Sequence, residues 1–212
     1  EYLKNISQLE TNSQYFEKQL KQKGVFTLKA SVQQKYKELF IDILFKSNIY
    51  ELSCFITGQK LYLTNFKHYL TRGKTKELGW HRDTYFRDNK FHGMLPSGYK
   101  LAIYGSDVLN HDGCTAFVKG SHRIDFNNNF FDIFLSRMTK RVEKITLNKG
   151  DSVLFNVNLL HNRLQTKYES SIRSATIYGF ALSNFYQNNY KINDNDKIIN
   201  YFNKKLTKVI QW

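Results

Sequence analysis

His81 and Asp83 stand one residue apart in the stretch Gly-Trp-His-Arg-Asp-Thr-Tyr-Phe, Gly79 to Phe86. An imidazole and a carboxylate at that spacing can share a divalent metal ion, because residues i and i+2 of an extended strand point to one face. Trp80 and Arg82 would then point away. The pair alone is weak, since with six His and ten Asp in the chain it arises by chance in roughly a quarter of such sequences. A metal held with positions left open for reagents needs a second imidazole. His68 sits in a Lys-rich stretch and is expected at the surface, His92 in a loop, His111 in a turn, and His122 after a Gly-Ser turn. His161 closes the strand-like run Gly-Asp-Ser-Val-Leu-Phe-Asn-Val-Asn-Leu-Leu-His, which would deliver an imidazole from a rigid element. On this pattern alone it is either a ligand or an ordinary core or surface histidine.

These residues need elements to hold them. Apolar positions recur at helical spacing over 7–23 and 30–47, and again over 129–138 and 196–210. From residue 58 the pattern becomes short, β-rich and punctuated by Gly, Asn or Asp. Residues 60–66, 99–108, 114–118, 141–147, 151–157 and 174–182 read as strands, with Leu147–Asp151 a tight turn between two of them. The expected class is mainly β with flanking helices, built as a sandwich or barrel, for which a double-sheet jelly roll is one solution. No repeat or linker divides the chain. It reads as a single domain over 1–212, with N-terminal helices over 1–57, a core over 58–183 and a C-terminal helical segment over 184–212.

The 212 residues are 41% hydrophobic and 16% aromatic, ample for one substantial core and against general disorder. No apolar run reaches the roughly 18 residues that span a bilayer, and the opening residues lack the apolar region of a secretory signal. Cys54 and Cys114 form no CxxC pair and are expected as buried thiols in a reducing compartment, so a cytoplasmic location is expected. The net charge of +14 invites a polyanion partner, but the 24 Lys are spread out and rise together with 20 Asn, as in a biased composition. Nucleic-acid binding is therefore the lesser reading.

Taken in order, the blocks Gly79–Phe86, Tyr99–Arg123 with its Gly-Cys and Gly-Ser-His turns, Lys149–Arg163 and then Arg173 resemble the phytanoyl-CoA dioxygenase family. That family belongs to the iron(II)- and 2-oxoglutarate-dependent oxygenases. The resemblance runs from about residue 59 to 183, and the helices outside it match nothing recognisable. It implies a double-stranded β-helix, cupin-like core, with His81, Asp83 and His161 as the catalytic metal ligands. Arg173, 12 residues after His161, is implied to grip the distal carboxylate of 2-oxoglutarate, for which a planar fork suits. Asn65 is a further candidate partner of this cosubstrate, with an ordinary sheet Asn the alternative. The implied cofactors are Fe(II), 2-oxoglutarate and O2, and the implied reaction releases succinate and CO2. A carboxylate at position 83 favours hydroxylation, or desaturation and ring closure, over halogenation. Lys119 departs from the family's proline.

If the strand order follows the family, several of Arg87, Lys90, Lys119, Arg123 and Arg163 ring the mouth. Convergent cations suggest an anionic small molecule, lipid or glycan precursor as substrate. Tyr85, Phe86, Phe91 and Tyr99 could line the pocket or simply be core. Two other readings stand beside this one: an oxygenase acting on nucleic acid or protein side chains, and a non-catalytic jelly-roll binding module. The oligomeric state is left open.

Overall fold

In the computed structural model, residues 25–27, 35–87, 90–93, 98–123, 129–137, 139–182 and 196–209 are described. The helix expected over 7–23 lies outside them. The strand Ile172–Ala181 (β10) shows how the sequence builds the fold. It lies at the centre of a five-stranded antiparallel sheet, order β1-β2-β10-β5-β8, with Val25–Thr27 (β1), Tyr62–Arg72 (β2), Tyr99–Tyr104 (β5) and Ser152–Asn156 (β8). Its residues alternate in destination, as the period of a strand requires. Thr176, Tyr178 and Phe180 face helices, while Arg173, Ala175 and Ile177 face a second sheet.

The helical side is apolar and aromatic. Lys37–Lys46 (α1), Ile49–Thr57 (α2) and Asp196–Val209 (α4) cover it. Phe40, Leu44, Tyr50, Phe66, Tyr178, Phe180 and Phe202 form one buried cluster there. The Tyr178 hydroxyl donates to the Phe40 carbonyl at 2.7 Å, which gives this polar tip the partner that burial demands. His68 also lies on this face, 3% exposed, sharing a 2.9 Å hydrogen bond with Thr176 Oγ1. The surface position expected for it is thus corrected: β2 runs on to Arg72, and alternation carries His68 to the helical side.

The second sheet is three-stranded, order β7-β6-β9, from Val142–Ile145 (β7), Thr115–Val118 (β6) and His161–Arg163 (β9). It faces the first across Phe117 and Phe155, whose ring centres are 5.1 Å apart, and across Tyr104 and Thr115, whose hydroxyls are 3.1 Å apart. Thr84–Arg87 (β3) and Lys90–Gly93 (β4) make a separate hairpin, and Asn129–Arg137 (α3) follows the turn Ser121–Arg123.

Of the helix expected over 30–47, the described residues carry α1, Lys37–Lys46. The chain reverses at Asn48, φ 55, and starts α2, whose β-branched and aromatic residues did not read as helix. Val25–Thr27, placed among N-terminal helices by the sequence, is an edge strand. The turn at Leu147–Asp151 carries Gly150 at φ 97 and passes the chain from one sheet to the other, joining no hairpin. The run 151–161 is likewise broken: β8 ends at Asn156, and His161 opens β9 in the facing sheet. His92, expected in a loop, lies on β4. Among the described residues no helix is long and apolar enough to cross a membrane.

Candidate active site

His81 and His161 are neighbours in a backbone bridge. Each donates its N–H to the other's carbonyl, at 2.9 and 3.0 Å. The approach to His81 is no regular strand, but residues 75–83 run beside 157–166, held by bonds such as Leu78 N–H to the Arg163 carbonyl and Asp83 N–H to the Val157 carbonyl. Gly79 makes the bend into the site. Its φ of 94 is open to few other residues, and it places its N–H on Asn162 Oδ1 and its carbonyl at His81 Nδ1, both at 2.9 Å.

The ligand-capable atoms of His81, Asp83 and His161 all lie within 4.8 Å of one another. The imidazole ring centres are 4.3 Å apart, and His161 Nε2 is 3.5 Å from Asp83 Oδ2. Both rings donate Nδ1–H to a backbone carbonyl, His81 to Gly79 and His161 to Leu159 at 2.8 Å. That fixes the tautomer and leaves both Nε2 lone pairs free for a metal ion. Burial, opposed by Asp83, holds His161 at about 4, so its ring is neutral near pH 7 as a ligand must be. Phe117 and Phe155 wall this ring, at centre distances of 6.0 and 5.1 Å.

Asp83 has two unlike oxygens. Oδ1 accepts from Lys100 Nζ at 2.5 Å. Oδ2 is buried and has no hydrogen-bond partner among the described residues. An anionic oxygen left so beside two free imidazole nitrogens fits a divalent cation. Lys100, which sequence reasoning missed, thereby leaves one carboxylate oxygen for a metal. Its signal was alternation along β5, which puts Lys100, Ala102 and Tyr104 on the inner face.

Arg173 lies on the central strand β10, 6% exposed, and no carboxylate pairs with it among the described residues. Its guanidinium stands over the Tyr104 ring, 5.2 Å from the centre, and donates to the Tyr104 hydroxyl at 3.3 Å. Arg173 Nε and the hydroxyl of Thr71, its register partner on β2, are both buried without partners among the described residues. An unpaired buried guanidinium is costly in itself, so this end fits an incoming carboxylate. Tyr69 lies between the two ends: burial raises its hydroxyl above the usual range, with the Asp83 charge raising it and the Arg173 charge lowering it. Thr71 and Tyr69 were not foreseen, because β2 was read as ending at residue 66, and Tyr104, inside the strand expected over 99–108, was assigned to no face.

Other expected residues go elsewhere. Asn65 pairs with Gly179 in the row of Lys100, six residues along β10 from Arg173, or about 20 Å at strand rise. It therefore sits at the metal end and not beside the arginine. Arg163 is tied to the segment that leads to His81. It donates to Thr75 Oγ1 and the Lys76 carbonyl, both at 2.8 Å, and is held at about 10 by burial and then by the Arg173 charge. Arg123 is exposed in the Ser121–Arg123 turn, and Lys119 pairs with Glu143 at 2.7 Å. Tyr99 packs with the helical cluster, on the face of β5 opposite Lys100. Tyr85, Phe86 and Arg87 lie on β3 and Lys90 and Phe91 on β4, and their side chains are outside the described residues.

The sequence pattern of the phytanoyl-CoA dioxygenase (PhyH) family matches residues 6–165. The chain belongs to the phytanoyl-CoA dioxygenase family. The match begins well before residue 59, so the N-terminal segment is part of the family pattern, and it stops short of Arg173. No curated protein sequence matches the chain. Among solved structures, AviO1 from Streptomyces viridochromogenes Tue57 is 24% identical, covering 66% of this chain and 59% of its own, with a TM-score of 0.53. EvdMO1 is 22% identical over 66% of this chain and 32% of its own, at 0.54. SnoK, a non-heme alpha ketoglutarate dependent carbocyclase from nogalamycin biosynthesis, is 15% identical over 81% of this chain and 84% of its own, at 0.50. This phytanoyl-CoA dioxygenase family member thus shares their fold, and it spans under two thirds of the length of the first two.

Proposed function

We propose that the chain is an iron(II)- and 2-oxoglutarate-dependent dioxygenase that hydroxylates a small molecule. The observation that carries this is the convergence of two Nε2 atoms and one unpaired carboxylate oxygen, from His81, His161 and Asp83, within 4.8 Å. Those residues would hold the metal, and when bound the ferrous ion with 2-oxoglutarate and O2 supplies the oxidation, releasing succinate and CO2. The chain's own part is geometric. The backbone bridge sets the spacing of the imidazoles, and Lys100 holds Asp83 by one oxygen. Arg173, with Thr71 and Tyr104 beside it, receives the distal carboxylate of the cosubstrate, and Phe117 and Phe155 keep water from the His161 side.

On this reading the facing sheets, apart from the edge strand β1, form a double-stranded β-helix, a jelly roll, within residues 58–183 of a single domain. The substrate is a lipid, glycan precursor or other small molecule. Its anionic character is supported by the Arg87 and Lys90 positions on the hairpin that leaves Asp83. Asn65, at the metal end of β2, faces the reagents there. The two free cysteines suit work in a reducing compartment such as the cytoplasm.

The test is anaerobic thermal shift with Fe(II) and 2-oxoglutarate, followed by succinate release in air with candidate substrates. Each ligand should raise the melting temperature, since it binds only the folded chain. His81→Ala and Asp83→Ala should keep the fold and lose all metal-dependent succinate release. Full turnover in both variants sinks the assignment.

A further inference from the structure

Arg82, the residue between the two ligands, uses its whole guanidinium on structure. Nε and Nη2 grip the Asp132 carboxylate of α3 in a fork, with contacts of 2.9 to 3.1 Å. Nη1 donates to the Ser121 carbonyl at 2.9 Å and to the Asn158 carbonyl. Both side chains are largely enclosed, at 9% and 17% exposure. Asn158 lies in the turn that leads to His161, and Ser121 is itself tied there, its hydroxyl accepting from the Leu160 N–H at 2.8 Å. An apolar contact repeats the connection. Leu135 of α3 packs with Val118 and Leu160, and Trp80 lies against the same cluster. Trp80 directly precedes His81 and Leu160 directly precedes His161.

One helix therefore touches the chain next to both histidines, by a charged fork and by a buried leucine. We propose that α3 is a clamp on the metal centre: Arg82, Asp132 and Leu135 are positioning residues, and docking of α3 and binding of the metal ion strengthen each other. This rests on the metal-centre reading above. Partners behind metal ligands commonly set affinity by about 10–100-fold. Coupling of this kind is reciprocal, so the ion must steady the helix as much as the helix steadies the site.

Ni(II), which needs no exclusion of air, is the probe. Its affinity is measured by calorimetry on the full chain, with hydrogen exchange over 129–137 as a second readout. Arg82→Met combined with Asp132→Leu removes both charges and keeps volume, an exchange that buried ion pairs often tolerate. The double variant should melt within a few degrees of the parent yet bind Ni(II) about 10–100-fold more weakly. Leu135→Ala should weaken binding in the same direction, and Arg82→Lys, which keeps the charge but not the fork, should fall between. Should the double variant fail to fold, Arg82→Lys decides alone. In the parent chain, Ni(II) should slow exchange across α3. Unchanged Ni(II) affinity in a folded variant, or α3 exchange indifferent to Ni(II), overturns the clamp while leaving the metal centre standing. A parent chain that binds no Ni(II) overturns the metal centre itself, and the clamp with it.

Discussion

Lys100 donates to one oxygen of Asp83 and leaves the other facing His161. Both side chains are mostly enclosed, at 19% and 11% exposure, so the pair neutralises a carboxylate that water reaches poorly. Lys100→Met should destabilise the metal-free protein by about 3 kcal/mol, the usual scale for leaving one partner of a buried pair alone. A divalent ion replaces the lost charge, so the rise in melting temperature on adding Ni(II) should be larger in the variant than in the parent. An equal or smaller rise would mean that Lys100 does not balance Asp83. At the other end, Arg173 is placed by β10 with its Nε unpaired among the described residues and Thr71 opposite. Arg173→Lys keeps the charge but loses the fork. The 2-oxoglutarate needed for half-maximal turnover should rise about 10–100-fold, the scale of a charged hydrogen bond, with little change in melting temperature without cosubstrate. The grouping of His81, Asp83 and His161 was legible because the ordered sequence blocks add His161 to a pair whose spacing alone is weak. Lys100, Tyr69 and Thr71 were not, because a lysine, a tyrosine and a threonine acquire meaning only once register says which face they share.

The strands divide the molecule's polar business. Along β10, Arg173 faces the site while Thr176 and Tyr178 face the helices, and the helical side also buries an imidazole, His68. Burial holds its ring at about 4, well below the unfolded value near 6.5. The neutral ring is thus favoured in the fold. Its contribution is whole above about pH 6.5 and is lost as pH falls from there toward 4, reaching roughly 3 kcal/mol. His68→Phe, which keeps a ring beside Phe40, should flatten the pH dependence of urea unfolding over that window. Parallel curves for parent and variant would assign the acid sensitivity elsewhere, His161 being the other imidazole held near 4 by burial. Helices α3 and α4 were legible, since their apolar spacing agrees with where they pack. The end of α1 was legible too, since the helix expected over 30–47 stops where Ser47 caps it; α2 was not singled out, because its β-branched and aromatic residues give little helical signal of their own. The crossing of the chain between sheets at 147–151 and 157–160 was equally hidden, because a turn signal does not say which strand comes next to which.

At the scale of the molecule, part of the basic excess behind the +14 charge is already paired among the described residues. Lys46 and Lys205 meet Asp42, Lys74 meets Glu169 and Lys119 meets Glu143. Duplex DNA should therefore be held only loosely. Fluorescence anisotropy should detect binding at about 20 mM salt and none at 150 mM, where contacts of this kind are screened. Tight, salt-resistant binding would revive a nucleic-acid substrate. The class, mainly β with flanking helices, could be read from strand spacing alone, whereas the facing of a five-stranded and a three-stranded sheet required pairings between residues far apart in sequence. One such pairing reaches further. Because His81 and His161 are locked by their own backbone bridge, their spacing is set beforehand and, on the proposed reading, asks little about which ion arrives. Nickel, cobalt, zinc and copper would be welcomed as readily as iron or more so, following the general order of affinities. Supply, and not recognition, then decides whether a given molecule is alive or silent, and protein prepared on a nickel resin or in zinc-rich medium would be full, folded and inert.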